Sequence, residues 1–434
     1  MHVGILTNFA TPTGGAEKVA IESARGLAER GVAVTLIHGV DGPADPMLDH
    51  PGIRRVGLGL TDVWERPAWR GAIEGIWNRE AARRLGRALA ALPDRPDVLH
   101  LHQWTRSLSP AILPVLARSG LPLAITLHDY FLVCPNGVYY RFDRAEPCTL
   151  RPFSARCLAA SCDPQSRIHK AVRVARYFAQ WAAITRDFDP RSTNRARVSK
   201  RGFAPRPIDL VHVSDGSRAQ VERFVKGIPF LHHHRIDNPV RLARAAPADP
   251  AAGDAVAFVG RFTREKGADL VAQAAHRAGL PSLFIGDGPL ADELRAVPGA
   301  EVVGWRAPAE VEALLRRRAR AVAAPARWLE TGPLTIYEAL AAGIPAIGSD
   351  RAGAGEKIRD GETGFVTAPE VGALAEAFGR LRDDALVRRL GAAAHARYWS
   401  APMTLAAHAS ALCDLYAGMT GAAEAPSFQR SAVM

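Results

Sequence analysis

Short apolar runs alternate with stretches of helical spacing along most of this chain, and the alternation starts afresh after residues 243–254, where Pro, Ala, Gly and Asp dominate. Strands separated by helices lie parallel, with the crossover helices covering the faces of the sheet. The first half opens with "HVGILTNFATPTGGAEKVAIESARGLAERGVAVTLIHG": an apolar strand from His2 to Phe9, a turn at Gly14-Gly15, helical spacing from Ala16 to Arg30 and a second strand from Val32 to His38. Further strands are expected at 97–102, 122–129 and 207–215. The second half has strands at 255–262, 281–289, 300–305, 320–326, 345–350 and 363–369, a helix over 268–278, and closing helices near 370–384, 386–398 and 403–418. This pattern predicts an α/β protein of two Rossmann-like domains whose sheets aim their carboxyl ends into one cleft. Residues 1–240 would form the first domain, 241–399 the second, 400–420 a helix returning to the first, and 421–434 a flexible tail.

The segment "RWLETGPLTIYEALAAGIPAIGSD" (327–350) sets Glu330 and Glu338 eight positions apart in an otherwise apolar run. Pro333 suits the first position of a short helix, and Gly343-Ile344-Pro345 stops it. A carboxylate in such surroundings needs a hydroxyl, amide or cation, because an unpaired buried charge is costly. Upstream, "FVGRFTREKGADL" puts Arg261 at a strand end and Lys266 five residues later, with Gly267 opening the next helix. Two cations and a helix N-terminus at the mouth of a sheet suit a diphosphate. Gly286 and Gly288 in "GDGP" permit close backbone approach to a ligand.

Several weak motifs standing in order make a strong one. "FVGRFTREKG", "IGDGP", Glu330-x7-Glu338 and "GIPAIGSD" resemble the C-terminal motifs of family 4 glycosyltransferases, retaining enzymes of the GT-B fold. "GGAE" after the first strand, "TLHD" (126–129), "VHVSDGSR" (211–218) and "NPV" (238–240) are similar to that family's N-terminal and linker motifs. The resemblance implies that Arg261 and Lys266 bind the donor diphosphate and stabilise charge on the leaving nucleotide. It implies that Glu338 accepts hydrogen bonds from the ribose, while Glu330, Gly332, Pro333 and Leu334 lie beside the sugar. His128 would stand near the donor sugar and Gly15 near the β-phosphate; Glu330, His128, Arg261 and Lys266 form the implied catalytic set. Thr331-Gly332-Pro333 departs from the Phe-Pro found in many relatives, a change that bears on donor-sugar preference. The implied reaction needs no metal or other cofactor, only a nucleotide-diphosphate-sugar and an alcohol acceptor. A 2-epimerase of the same fold and a non-catalytic nucleotide-sugar scaffold are the alternatives. A dinucleotide oxidoreductase ranks below them, because the first glycine loop lacks G-x-G-x-x-G.

The formal charge of +11 is concentrated: residues 167–206 hold eleven Lys or Arg against Asp187 and Asp189. An anionic partner, either a lipid-linked acceptor at a membrane surface or another anionic one, is expected no more than a merely solvated face. Nucleic acid is the weakest option, for want of any recognised binding motif. No apolar run has membrane-spanning length and no leader is visible, which predicts a cytoplasmic protein, at most peripheral at the inner face of the plasma membrane. Of five cysteines, Cys134, Cys148, Cys157 and Cys162 cluster in a Pro-containing insertion, where a structural zinc and unliganded thiols are equally expected. "DFD" (187–189) reads as a chance match to a metal-binding Asp-x-Asp, and "HHH" (232–234) as a surface feature before the linker.

Overall fold

A computed structural model describes residues 1–192, 204–351, 353 and 355–421. Arg195, Arg197, Lys200 and Arg201 of the basic stretch, and the tail from residue 422, lie outside the described residues.

The N-terminal half contributes β1 (His2–Thr7), β2 (Ala33–Val40), β3 (Ile53–Leu60), β4 (Val98–Leu101), β5 (Leu123–Leu127), a hairpin of β6 (Tyr140–Arg141) and β7 (Glu146–Pro147), then β8 (Ile208–His212) and β9 (Leu231–Arg235). Seven of these form a parallel sheet in the order β3-β2-β1-β4-β5-β8-β9. The second half supplies β10 (Ala255–Val259), β11 (Ser282–Ile285), β12 (Ala300–Gly304), β13 (Ala319–Ala324), β14 (Ala346–Ser349) and β15 (Gly364–Thr367). These pair in parallel as β12-β11-β10-β13-β14-β15. Strand order reverses beside β1 in one sheet and beside β10 in the other. The loops after those two strands, with Gly14-Gly15 and Arg261–Gly267, therefore leave the switch points where open α/β sheets bind ligands.

Two strands of the large sheet, and the short β6–β7 hairpin, escape the sequence reading. β3, "IRRVGLGL", is an edge strand whose exposed Arg54 and Arg55 and two glycines dilute its apolar signal. "HHH" forms the middle of the edge strand β9, with His232 at the surface: His234 Nε2 meets Asp209 Oδ1 at 2.7 Å, while His233 stacks on His212. Pro333 also differs from expectation. It stands just before the helix Leu334–Ala342, as its N-cap, and Gly343 ends the helix in the left-handed region at φ +77°.

The helix Leu405–Thr420 packs on the helix Gly15–Glu29, placing Leu412, Cys413 and Tyr416 in one core cluster with Val3, Ile5 and Leu27. The fully buried Tyr416 hydroxyl lies 2.6 Å from His100 Nδ1. On the way there, Val240 N–H donates to Met403 O at 2.9 Å, so the two chain crossings between the halves run side by side. No helix among the described residues is long and apolar enough to cross a membrane.

The long helix Arg167–Asp187 spends several cations of the basic stretch inside the protein. Arg173 pairs with Asp163 at 3.0 Å, and Arg176 donates to Thr105 O at 3.1 Å and lies over the Phe131 ring. Lys170 reaches Cys162 Sγ at 3.0 Å and Arg186 grips Asp187 at 2.6 Å. These four cations brace the protein, while Arg167 and Arg191 of the same stretch are exposed.

Candidate active site

Three loops leave the carboxyl ends of the neighbouring strands β11, β10 and β13, carrying Gly286–Gly288, Arg261 and the segment 325–333 respectively. Arg261 is exposed and makes no ion pair. Lys266, next to it in the loop, pairs with Glu330 and sits 5.1 Å from the Trp328 ring centroid. Arg327 holds the last loop in place through two 2.7 Å bonds to Asp269, which lies in the first turn of the helix Ala268–Ala278. Gly286 (φ +141°) and Gly288 (φ +157°) are forced: a Cβ would stand 2.0 Å from Gly260 O in the first case and 2.6 Å from Phe262 N in the second. The helix Leu334–Ala342 has no side-chain cap, although Ile336 N–H turns back to Pro333 O at 3.2 Å, and an uncapped helix N-terminus is suited to an anion.

The opposite wall comes from the first domain. Thr331 Oγ1 donates to the backbone oxygen of His128 at 2.9 Å, tying the Glu330 loop directly to the residue after β5. The His128 ring stacks on His102, with 3.1 Å between His128 Nε2 and His102 Nδ1. Burial pushes His128 down to about 3 and His102 well below the usual histidine range, so both rings are neutral at physiological pH. Gly15 opens the helix Gly15–Glu29, and a Cβ there would meet nothing within 4 Å. From that helix's first turn Lys18 crosses the cleft to Glu338 at 3.0 Å. Burial alone would lower the Lys18 pKa, but the Glu338 and Glu22 carboxylates hold it above the ordinary value.

Of the sequence-predicted site residues, Lys266 and Glu330 pair within the second domain, Glu338 reaches Lys18 of the first, and Arg261 is left without an ion pair. Sequence reasoning missed Lys18, His102 and Glu356. The last of these accepts from Asp215 N–H at 2.9 Å and from Gly216 N–H, capping a first-domain helix from the second domain. For Lys18 a signal existed, a cation one turn after the Gly14-Gly15 loop; for Glu356 none did.

Glu22, one turn beyond Lys18, has a side chain 1% exposed, neither carboxylate oxygen hydrogen-bonded, and its cation Arg241 at 3.9 Å. Burial, opposed by Lys18 and Arg241, pushes its carboxyl up to about 7. A raised folded pKa means that the folded chain holds this proton more tightly than the unfolded one. The resulting stability is complete below the unfolded pKa, near 4.5, and is lost as pH rises through about 7. Glu22→Gln should therefore stabilise the protein by roughly 1–3 kcal/mol near pH 8.5 and much less near pH 5. Calorimetric scans at the two pH values check this; equal shifts at both would refute it.

The cysteine insertion does not gather around an ion. Cys134 donates to Asn136 Oδ1 at 3.1 Å, and Cys162 already receives the Lys170 ammonium. All five thiols are free, and the described residues contain no group of three His, Cys, Asp or Glu arranged to hold a metal. The segment is held instead by Asn136 Nδ2, which donates to Tyr140 O and Cys162 O, and by buried Tyr130, Tyr139 and Tyr140. Cys157 is buried in the same insertion and Cys148 half-buried. The Asp187 and Asp189 pair is likewise no metal site: one binds Arg186 and the other accepts from Arg191 N–H.

Comparison with known proteins agrees with this geometry. Sucrose-phosphate synthase from Thermosynechococcus elongatus superposes with a TM-score of 0.71, covering 97% of this chain and 100% of that one at 18% identity. Anabaena Alr3699/HepE in complex with UDP-glucose gives 0.62, covering 96% and 100% at 18% identity. These likenesses establish the fold as GT-B, two Rossmann-like domains facing across a cleft. Residues 13–163 match Glycosyltransferase Family 4, and residues 243–397 match Glycosyl transferases group 1. D-inositol 3-phosphate glycosyltransferase of Mycobacterium leprae (strain Br4923) is 28% identical over 395 residues, which span 85% of this chain and 79% of that one. The chain belongs to glycosyltransferase family 4 and is an enzyme that transfers a sugar from a nucleotide-sugar donor. These matches do not favour the 2-epimerase or scaffold alternatives.

Proposed function

We propose that the cleft binds a nucleoside-diphosphate sugar between the two domains and transfers the sugar, with retention, to an alcohol of a glycolipid, polysaccharide or related glycoconjugate acceptor. The observation that carries this reading is the convergence of Arg261, Lys266 and an uncapped helix N-terminus at adjoining strand ends, opposite His128. The diphosphate takes the place of Glu330 beside Lys266, and the ribose hydroxyls take the place of Lys18 beside Glu338. Gly286 and Gly288 let the nucleotide approach the backbone, Gly332, Pro333 and Leu334 border the sugar with Glu330, and Gly15 borders the β-phosphate.

Transfer proceeds as the C1–phosphate bond breaks toward an oxocarbenium-like state. The acceptor oxygen bonds to C1 on the face that the diphosphate leaves, and the departing phosphate oxygen takes the hydroxyl proton. Arg261, Lys266 and the helix N-terminus meet the charge that grows on the leaving group. Neutral His128 is a hydrogen-bond partner for the sugar rather than a cation.

A thermal-shift panel of UDP-, GDP-, ADP- and dTDP-sugars tests the donor site. One nucleotide family should raise the melting midpoint by about 5 °C at saturating concentration, and Glu338→Gln should remove most of that shift. No shift with any nucleotide would count against the site. NMR of the product anomer tests the stereochemistry: an inverted product excludes the same-face route.

A further inference from the structure

Eight large hydrophobic side chains are exposed among the described residues, and six of them gather on one side of the first domain. Trp64, Trp69 and Ile73 lie on and just before the helix Ala68–Trp77; Leu158, Ile168 and Phe178 lie on the helices Ala155–Ala159 and Arg167–Asp187; each is between 41% and 76% exposed. The two groups adjoin, because the Ala68–Trp77 and Arg167–Asp187 helices pack together and the Trp64 ring stacks on His169. Along the long helix, Ile168, Ala171, Ala175, Phe178 and Ala182 follow three- and four-residue steps, a largely exposed apolar stripe on which Phe178 also touches the Phe153 ring. A groove of about 490 Å³ opens beside it, lined by Leu158, Ala171, Val174 and Phe178 with Arg167 and Lys170 at its edge.

The charge around this face is mostly positive. Arg151, Arg156 and Arg167 are exposed and form no ion pair. Between residues 148 and 186 the sole carboxylate is Asp163, buried and held by Arg173. On the neighbouring helix Glu74 is taken by Arg66 and Arg70, leaving Glu65 as the one free acid there. A second copy of this chain, docked about a two-fold axis, would set this basic rim against itself, which like-charge repulsion opposes. Tryptophans with an apolar stripe and an arginine rim suit a surface that is oily beneath and anionic on top.

The geometry points to this face as the seat of the enzyme on an anionic lipid bilayer, with Trp64, Trp69 and Phe178 entering the headgroup layer and Arg151, Arg156 and Arg167 meeting the phosphates. The anchor is the apolar stripe with its rim, not Lys170, Arg173, Arg176 and Arg186 of the long helix, which are engaged within the protein. The same helix steadies the cleft from its inner side. Trp104 Nε1 donates to Gln180 Oε1 at 3.0 Å, and Gln180 in turn donates to Phe131 O at 3.2 Å, so the loops that follow β4 and β5 rest on the docked element. Docking thus sets the acceptor side of the cleft against the lipid surface.

Co-sedimentation of the full chain tests this without any turnover, so its result is separate from that of the donor assignment. Wild type should pellet with vesicles of phosphatidylglycerol and phosphatidylcholine in equal parts, and not with phosphatidylcholine alone. The triple change W64E, W69E and F178E should weaken that binding about tenfold or more, and R151E, R156E and R167E together should do likewise and remove its salt dependence. Both variants should keep the wild-type melting midpoint and nucleotide-induced shift, since the altered side chains are exposed. Wild type left in the supernatant with anionic vesicles, or variants that pellet equally well, would overturn the proposal. So would light scattering that shows a wild-type dimer dissociated by the triple change, because the face would then join two copies.

Discussion

Lys266→Ala is expected to lower kcat/KM for sugar transfer by about 10²–10³-fold, the loss seen when a preorganised partner for developing charge is removed. The fall should lie mainly in kcat, because the charge on the leaving diphosphate is greatest in the transition state. The substitution has a second effect that must be separated from the first. Glu330 is only 8% exposed and pairs with Lys266, so the alanine variant strands a buried carboxylate and should also melt earlier. Lys266→Ala combined with Glu330→Gln should recover the melting midpoint while the rate stays low. Initial rates and melting curves on the single and double variants decide the matter; a kcat/KM within threefold of wild type would falsify the diphosphate role.

Gly286→Ala should cost about 3 kcal/mol or more, enough to leave little folded protein. Its Cβ would lie 2.0 Å from Gly260 O, and its φ of +141° is closed to alanine. The displaced backbone is the residue before Arg261, so any folded remnant should bind donor poorly as well. Gly15→Ala is the contrast. With nothing within 4 Å of its Cβ, the fold should survive, and any lost activity reports on the ligand that the open space admits. Urea midpoints of the two variants measure the difference.

The contrast also marks what could be read from the letters. The need for glycine at 286 and 288 showed as a loop motif after an apolar strand, and the helix over 268–278 was found with both ends correct because Gly267 and Gly279 bracket it. Strands buried on both faces declared themselves as apolar runs. β3 and β9 did not, since edge strands need satisfy only part of a core: β3 spends residues on Arg54 and Arg55, and β9 fills its centre with three histidines that find Asp209 and His212. In the site, the identity of the charged residues was legible but their pairing was not. Lys18 and Glu338 stand 320 positions apart, and Thr331 and His128 stand 203 apart. Such contacts follow from how one domain faces the other, which no local pattern encodes. The cysteines left two readings open for a related reason: spacing alone could not reveal that Lys170, on the next helix, reaches Cys162.

The helix Leu405–Thr420 gives this fold an unusual order of assembly. Its Leu412 and Tyr416 complete a cluster begun by Val3 and Ile5, yet the ribosome makes it only after every strand of the other domain. Domains made first generally fold first. Here the domain that is begun first is finished last, and through most of synthesis the groove awaiting Tyr416 stays open on the nascent chain. The second domain, whose sheet is complete by residue 367, can close before the first does. A nascent chain halted near residue 400 would therefore carry one finished domain and one with its apolar flank bare, the kind of intermediate that chaperones hold.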